Sequence, residues 1–468
     1  MRHSFISQNS SSRLIVIFAG WGMDERPFRG MTRPGYDILV VWDYRSLDFD
    51  PQWTAPYREV CVLAWSMGVQ AAQLCHAALG PRVTGRIAVA GTPCPVSDTL
   101  GIPCDIFKAT VDTLSPRTLE RFMRRMCGGQ LAWSQWSSCA PERPVEELRD
   151  ELNAIAARPA ASAAPRFDHY LLTLRDAIFP PENQRRAFAG CDVVETDSPH
   201  LPDFRRILDE YFIDKSLVGE RFAGAGTSYD SNAAPQALIA DSLAALLDDK
   251  DTRAIFARPG SRILEVGCGT GLLTKMLPAR CESATLLLWD VLPLAPFPLP
   301  AGSTYRSADA ETAVRDVPDA SLDMIVSAST IQWFNSPERF VAECLRALRP
   351  GGMLALSTFG RDNMPEVSRA CGVGLHLCDA ATWRAAIAEM PGVETVLLHE
   401  ARLQCRFGSA MEILRHLSLT GVNAITRSGN ARAAAAALQP DADGRFTLTY
   451  QPLLMLLRKC ERAFNKKC

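Results

Sequence analysis

The stretch Arg262-Ile263-Leu264-Glu265-Val266-Gly267-Cys268-Gly269-Thr270-Gly271 leaves the backbone few choices. A short apolar run ends in an acid and three glycines at alternate positions, and Leu272 to Leu277 continues with helical spacing. This reads as strand, tight turn, helix, with glycines where the backbone turns sharply and approaches a ligand. Leu286-Leu287-Leu288-Trp289-Asp290 is a second buried-strand run ending in an acid, and such an acid can take both ribose hydroxyls of a nucleoside. The glycine spacing lacks the last glycine of the dinucleotide pattern, which favours S-adenosylmethionine over NAD.

This unit begins halfway along 468 residues, a length that predicts two or three domains, so the first half must fold around something else. Leu14 to Phe18, Ile38 to Trp42, Val60 to Ala64 and Arg86 to Ala90 are strand-like runs alternating with helical segments. That alternation predicts a parallel, doubly wound sheet, in which ligands meet the carboxyl ends of the strands. Ala64-Trp65-Ser66-Met67-Gly68 sits at one of those ends. It nearly matches the Gly-x-Ser-x-Gly nucleophile elbow, alanine taking the first small position. The other reading of Ser66 is a helix N-cap. Two later segments favour the elbow: Tyr170 to Leu174 runs to Asp176, and Cys191 to Glu195 runs to His200. The order Ser, Asp, His is the one the α/β-hydrolase fold requires. His200 would deprotonate Ser66, and Asp176 would hold the imidazole tautomer. The oxyanion would face the amides of Met67 and of Trp21, within Gly20-Trp21-Gly22. His76 and His169 suit a helix and a strand start.

Between about Asp98 and Asp168 the pattern turns helical, as expected of a cap over the sheet. Ser115-Pro116 is a strong helix start. Leu119, Phe122, Met123 and Met126 then form one apolar stripe, with Arg117, Arg121, Arg124 and Arg125 on the opposite face. The arginines read either as a solvated face or as a patch for an acidic partner.

Lys plus Arg is 50 against Asp plus Glu 52, and neither half carries the basic excess of a nucleic-acid binder. No apolar run is long enough to span a membrane, and Met1 to Arg13 is polar without a signal core. Fifteen scattered cysteines then read as reduced, cytoplasmic and mostly buried. Seven histidines in no ligand spacing predict no metal.

No Pro-rich linker separates the halves, and the boundary is placed at 215/216. A helix from Gln236 to Leu247 has apolar residues to cover a cofactor cleft. Further βα units follow: Thr304 to Ala308 ends at Asp309, Leu322 to Ser327 precedes Ile331-Gln332-Trp333-Phe334, and Arg349-Pro350-Gly351-Gly352 leads into Met353 to Thr358. Asp309 can accept the adenine amino group. As an alternative, Asp290 and Asp309 suit ordinary helix N-terminal acids. Phe446 to Tyr450 is read as a final strand, the antiparallel one closing the second sheet.

The chain resembles two biotin-synthesis enzymes joined end to end. From about residue 220 it is similar to the malonyl-carrier-protein O-methyltransferases, through Thr227-Ser228-Tyr229-Asp230, Glu265 to Gly271, Asp309-Ala310-Glu311, Ile331-Gln332-Trp333, and Leu414-Arg415-His416-Leu417 through Thr420-Gly421-Val422-Asn423. Residues 13–212 resemble a small family of pimeloyl-carrier-protein methyl ester esterases. That similarity rests on Phe18 to Asp24, Ala64 to Gly68, Gly91-Thr92-Pro93 through Gly101-Ile102-Pro103, and Asp176 with Phe179 to Gln184. Ser198-Pro199-His200 departs from it, since a glycine before the histidine is more usual. The resemblance implies an α/β protein: an α/β-hydrolase-like domain with a helical cap at 1–215, and a class I, Rossmann-like S-adenosylmethionine-dependent methyltransferase domain at 216–468. It implies cofactor contacts from Tyr229, Glu265, Gly267, Gly269, Asp290, Asp309 and Ala310. Its partner would be an acyl-carrier protein bearing malonyl or pimeloyl methyl ester. Two other readings stay open: a methyltransferase with a non-catalytic hydrolase-like docking module, or a thioesterase–methyltransferase acting on another carrier-bound acyl chain.

Overall fold

The alternating apolar runs resolve into two seven-stranded sheets in a computed structural model, which describes every residue except 160–166, 190, 192, 278–283, 372–373, 376, 423–430 and 461–468. Asp192 and Asn423, each read above as part of a motif, lie outside the described residues. The chain forms two compact units, Met1–Arg205 and Arg206–Cys468. The division precedes the expected boundary at 215 and falls inside a helix, Phe204–Tyr211. Phe204 packs edge-on against Phe28 and Trp65, whereas the Ile213 amide donates to Asn335. A division inside a helix leaves no linker composition to read.

The first unit orders its strands β1-β3-β2-β4-β5-β6-β7. These are β1 (Arg2–Ser7), β2 (Arg13–Phe18), β3 (Asp37–Trp42), β4 (Glu59–Trp65), β5 (Val83–Val89), β6 (His169–Thr173) and β7 (Val193–Thr196). β2 to β7 run parallel, and Leu14, Ile15, Ile38, Val40, Val60 and Leu63 have no exposure, as a sheet covered on both faces requires. β1 pairs antiparallel with β3 at the edge, from a polar segment that carries no strand signal of its own. The insertion between β5 and β6 is helical: Cys104–Asp112, Pro116–Met126, Gln130–Trp136 and Val145–Ala156. The second of these starts with a capping box, the Ser115 hydroxyl accepting from the Thr118 amide and the Thr118 hydroxyl from the Ser115 amide.

The second unit opens with the helices Lys215–Asn232, Ala234–Leu246 and Lys250–Ala257. Its strands are β8 (Arg262–Val266), β9 (Thr285–Asp290), β10 (Thr304–Ser307), β11 (Leu322–Ser327), β12 (Leu348–Phe359), β13 (Val393–Glu400), β14 (Leu403–Phe407), β15 (Phe446–Tyr450) and β16 (Pro452–Lys459). The large sheet has the order β10-β9-β8-β11-β12-β16-β13. Its antiparallel strand between β12 and β13 is β16, not the expected Phe446–Tyr450, which pairs with β14 in a separate two-stranded sheet. The physical reason is burial: Leu453, Met455 and Leu457 are fully buried on one face and Leu456 on the other. Arg349 to Gly352, expected as a turn before a strand, lies inside β12, whose register against β11 shifts there. The helical continuation expected after the glycine loop is, over its described part, one 3-10 turn at Thr274–Met276.

Candidate active sites

In the first unit the site grows from the turn between β4 and the helix Gly68–Leu74. Ser66 holds φ of +59°, a strained value for a residue other than glycine, and is 4 % exposed. The turn is this tight because its neighbours lack side chains. A Cβ on Gly68 would lie 2.3 Å from the Phe18 carbonyl oxygen, and one on Gly91 2.1 Å from the Ser66 carbonyl oxygen. Alanine at position 64 is accommodated opposite Phe18 in the parallel register.

The loops after β6 and β7 bring the other two residues to Ser66. The Ser66 Oγ–H meets His200 Nε2 at 3.0 Å, and His200 Nδ1–H donates to Asp176 Oδ2 at 2.8 Å. His200 is 1 % exposed, which excludes a surface-loop histidine. Its backbone carbonyl accepts from Trp65 Nε1 at 2.9 Å, and Phe179 stacks on its ring with planes 4° apart. The proline before His200 fits because the cap reaches it: the Leu201 amide donates to the Met126 carbonyl, and a Cβ on Gly128 would meet Pro199. Asp176 is held from two sides. Its Oδ1 accepts from the Ile178 and Phe179 amides at 2.8 Å each, and its Oδ2 accepts from Thr173 Oγ1 at 2.9 Å and Gln184 Nε2 at 3.1 Å. A carboxylate with this many donors stays oriented toward the imidazole.

Met67 follows Ser66 directly, and Trp21 lies in the loop beside it, since a Cβ on Gly20 would stand 3.2 Å from Ser66 Cβ. The loop is tied to the cap by Trp21 Nε1–H to the Leu148 carbonyl at 2.9 Å, and by the Glu142 amide to Asp24 Oδ2 at 2.8 Å. Arg143 was not singled out from the sequence, yet it is central here. Buried, it donates to Glu151 Oε2 at 2.7 Å and to the Met23 carbonyl at 3.3 Å, and lies 3.3 Å from Asp43. Arg117, Arg121, Arg124 and Arg125 are all exposed on the helix Pro116–Met126, with Arg124 paired to Glu120, while Phe122, Met123 and Met126 are buried beneath them.

In the second unit a cavity opens at the carboxyl ends of β8, β9 and β11, lined by all seven residues of the expected set: Tyr229, Glu265, Gly267, Gly269, Asp290, Asp309 and Ala310. Gly267 and Gly269 have φ of +71° and +50°. A Cβ on Gly267 would collide with Thr330, whereas one on Gly269 would meet nothing within 4 Å, leaving a backbone cradle. Asp290 accepts from the Gly269 amide at 2.7 Å and the Leu292 amide at 3.0 Å, so each carboxylate oxygen keeps a lone pair for a ligand. Burial pushes the Asp290 carboxyl up. Glu265 is 1 % exposed, and its Oε2 has no partner in the protein. Burial, opposed by Thr274 and aided by the Asp290 charge, raises its pKa to about 8. Asp309 caps the short helix behind it through the Glu311 amide.

These features fit an adenosine-bearing, cationic ligand: an orphaned carboxylate oxygen, two further acids at strand ends and a glycine cradle. Two residues not assigned to the site from the sequence support it. Asp230 accepts from Thr270 Oγ1 at 2.5 Å and Lys275 Nζ at 2.8 Å, fastening the first helix to the glycine loop. Lys215 lines the cavity, donates to the Trp333 carbonyl at 2.6 Å and pairs with Glu311 at 2.9 Å. Its partners lie 96 and 118 residues away, so no local pattern announces it. Among the described residues no cluster of metal-ligating side chains occurs, and no helix is long and apolar enough to cross a membrane.

Comparison with known proteins relates both halves of the chain to known families. Residues 1–208 match the model of the pimeloyl-ACP methyl esterase BioG, and residues 264–356 match a methyltransferase domain. A malonyl-[acyl-carrier protein] O-methyltransferase of Bacteroides fragilis is 33% identical over 464 residues, 95% of this chain and 92% of that protein. The chain belongs to the malonyl-[acyl-carrier protein] O-methyltransferase family. A protein of that name from Haemophilus influenzae is 30% identical over 258 residues, 53% of this chain and 95% of the relative. The crystal structure of BioG from Haemophilus influenzae is 33% identical, covers 43% of this chain and 94% of its own, and has a TM-score of 0.38. With the family comes its cofactor, S-adenosylmethionine.

Proposed function

We propose that the chain is a bifunctional enzyme that methylates the free carboxylate of malonyl-[acyl-carrier protein] and hydrolyses the methyl ester of pimeloyl-[acyl-carrier protein]. Ester hydrolysis is assigned to residues 1–215 and methyl transfer to residues 216–468. What carries the reading is one chain holding both a hydrogen-bonded Ser66–His200–Asp176 line and an acid-and-glycine cavity suited to S-adenosylmethionine.

In the hydrolase, Ser66 Oγ attacks the ester carbonyl while its proton passes to His200 Nε2. The oxyanion faces the Met67 and Trp21 amides. His200 returns the proton to the leaving methoxide, which departs as methanol, and a water activated by the same imidazole releases the acid. In the second unit Glu265, Asp290, Asp309 and the glycine backbone would hold the cofactor. Bound there, S-adenosylmethionine would supply an electrophilic methyl group for the malonyl carboxylate, its sulfonium leaving as a neutral thioether. A carboxylate is already the nucleophile, so no residue is assigned as base. The chain contributes alignment and exclusion of water. Methylation removes a charge that is costly to bury, and hydrolysis restores it.

The exposed arginines of Pro116–Met126 are assigned as the docking face for the acidic carrier protein. The test is to incubate the protein with S-adenosylmethionine and malonyl-carrier protein, and separately with pimeloyl-carrier protein methyl ester. Malonyl methyl ester and methanol are the expected products. Free carrier protein in place of methanol would replace the esterase with a thioesterase. No product from the second substrate would leave the first unit as a docking module.

A further inference from the structure

A second, smaller cavity adjoins the cofactor cavity and shares Phe222, Tyr229, Gln236, Ser329 and Trp333 with it as a common wall. Around it lie four buried polar atoms with no partner in the protein: Trp333 Nε1, Ser329 Oγ, Gln332 Oε1 and Gln236 Oε1. Trp333, Gln332 and Gln236 are 5 %, 8 % and 5 % exposed. Buried polar groups are satisfied almost everywhere in folded proteins, and one left unpaired costs about 1–3 kcal/mol. Four at one wall mark a place built for a polar guest.

The residues that carry these atoms are held in place by their surroundings. The Trp333 carbonyl accepts from Lys215, and its ring meets Phe222 edge-on at 5.8 Å. Gln332 Nε2 donates to the Ser329 carbonyl at 2.6 Å. The Ser329 amide donates to Ser357, and Ser329 itself holds φ of +49°, a strained conformation that fixes where its hydroxyl is presented. Gln236 is carried by the helix Ala234–Leu246, and the nearby Tyr450 hydroxyl is braced by His416 Nε2 at 2.7 Å. The described residues lining the cavity include no lysine or arginine.

We propose that this second cavity is the acceptor site of the methyl transfer, where the Trp333 indole N–H and the Ser329 hydroxyl grip the carboxylate of a short acyl thioester beside the cofactor. The proposal rests on the methyltransferase reading and names the groups that select its substrate. Neutral donors suit the task. A carboxylate gains charge-assisted hydrogen bonds from them, and its methyl ester loses those bonds at once, so the product leaves. A cation in the same place would hold the acceptor in its ground state and gain nothing in the transition state, where the charge is vanishing. The two glutamine carbonyl oxygens repel a second carboxylate and suit N–H groups, such as the amides of a carrier's arm.

The experiment measures binding in the absence of turnover. Malonyl- and acetyl-carrier protein are titrated calorimetrically into the full-length protein saturated with S-adenosylhomocysteine, for wild type, Trp333→Phe and Ser329→Ala. Wild type should prefer malonyl to acetyl by about tenfold or more, and each variant should lose most of that preference while binding the nucleoside as before. Trp333→Phe keeps the ring against Phe222, so a packing role would leave the preference intact, and that result would overturn the proposal. Parallel weakening of both carriers, or of the nucleoside, would overturn it as well. The functional reading is tested separately, by whether wild type methylates malonyl-carrier protein at all.

Discussion

At the scale of single residues, two groups carry opposite predictions. Ser66→Ala removes the nucleophile while leaving Gly68 and Gly91 at their close approaches to the turn. Methanol release should fall by several orders of magnitude, with methyl transfer unchanged. Near wild-type release from the variant would show that Ser66 is not the nucleophile. Glu265 gives a pH prediction. Its carboxyl, normally near 4.5, is raised to about 8 in the folded protein, chiefly by burial. Between those values the native state holds a proton that the unfolded chain has lost, so this group's contribution to stability falls as pH rises through the window. Glu265→Gln abolishes that fall. In the cofactor-free protein the variant's melting temperature should therefore gain on wild type from about pH 5 to about pH 8. A difference independent of pH would mean that Glu265 is not protonated in the fold.

At the scale of elements, the glycine turns of the two units are predicted to fail differently. Alanine at Gly68 places a methyl 2.3 Å from the Phe18 carbonyl, on two backbones that cannot part without breaking the β2–β4 pairing. The cost should be at least about 2 kcal/mol, visible as a lowered melting temperature along with lost esterase. Alanine at Gly269 meets no atom within 4 Å and bears only the penalty of its positive φ, about 1–2 kcal/mol. The fold should persist while S-adenosylmethionine affinity, read by calorimetry, drops at least about tenfold, because the methyl occupies the cradle. The same elements show what sequence can carry. Strand, turn and helix around Ser66, and strand and turn around Gly267, are legible because glycine, alanine and acid spacing encode local geometry. β1 is not, since Arg2–Ser7 is an edge strand whose partner β3 lies thirty residues on and whose mostly polar side chains include only one buried, Ser7. Phe446–Tyr450 reads as the final, closing strand of the second sheet, but it is β15 of the small sheet. The buried β16 reads instead as a plain apolar run beginning with proline. Arg143 and Lys215 were illegible for a related reason: their partners Asp43, Met23, Glu311 and Trp333 are assembled only by the tertiary fold.

At the scale of the whole molecule, a chain that both makes and cleaves a methyl ester must not cleave what it has just made. On the proposed function, malonyl methyl ester has to escape Ser66 while pimeloyl methyl ester does not. Docking can supply the ruler. A carrier held on the arginine face of Pro116–Met126 would extend its arm a fixed distance, and a longer acyl chain would then bring the ester to the nucleophile. The same helix buries Phe122 against Trp21 and passes its Met126 carbonyl to Leu201, next to His200, so the docking face and the site share one rigid element. Charge-driven docking should weaken with salt, as the Debye length falls to about 3 Å at 1 M. Replacing Arg117, Arg121 and Arg125 by alanine removes exposed side chains and leaves the Arg124–Glu120 pair and the buried stripe. The Michaelis constant for pimeloyl-carrier methyl ester should rise about tenfold at low salt, and the salt dependence should flatten. Hydrolysis of a small soluble methyl ester should be untouched. Equal loss on both substrates would place the defect in the fold of the cap. Equal wild-type rates on carrier-bound malonyl and pimeloyl methyl esters would remove the ruler altogether, since a site that cannot tell the two lengths apart would undo its own chain's methylation.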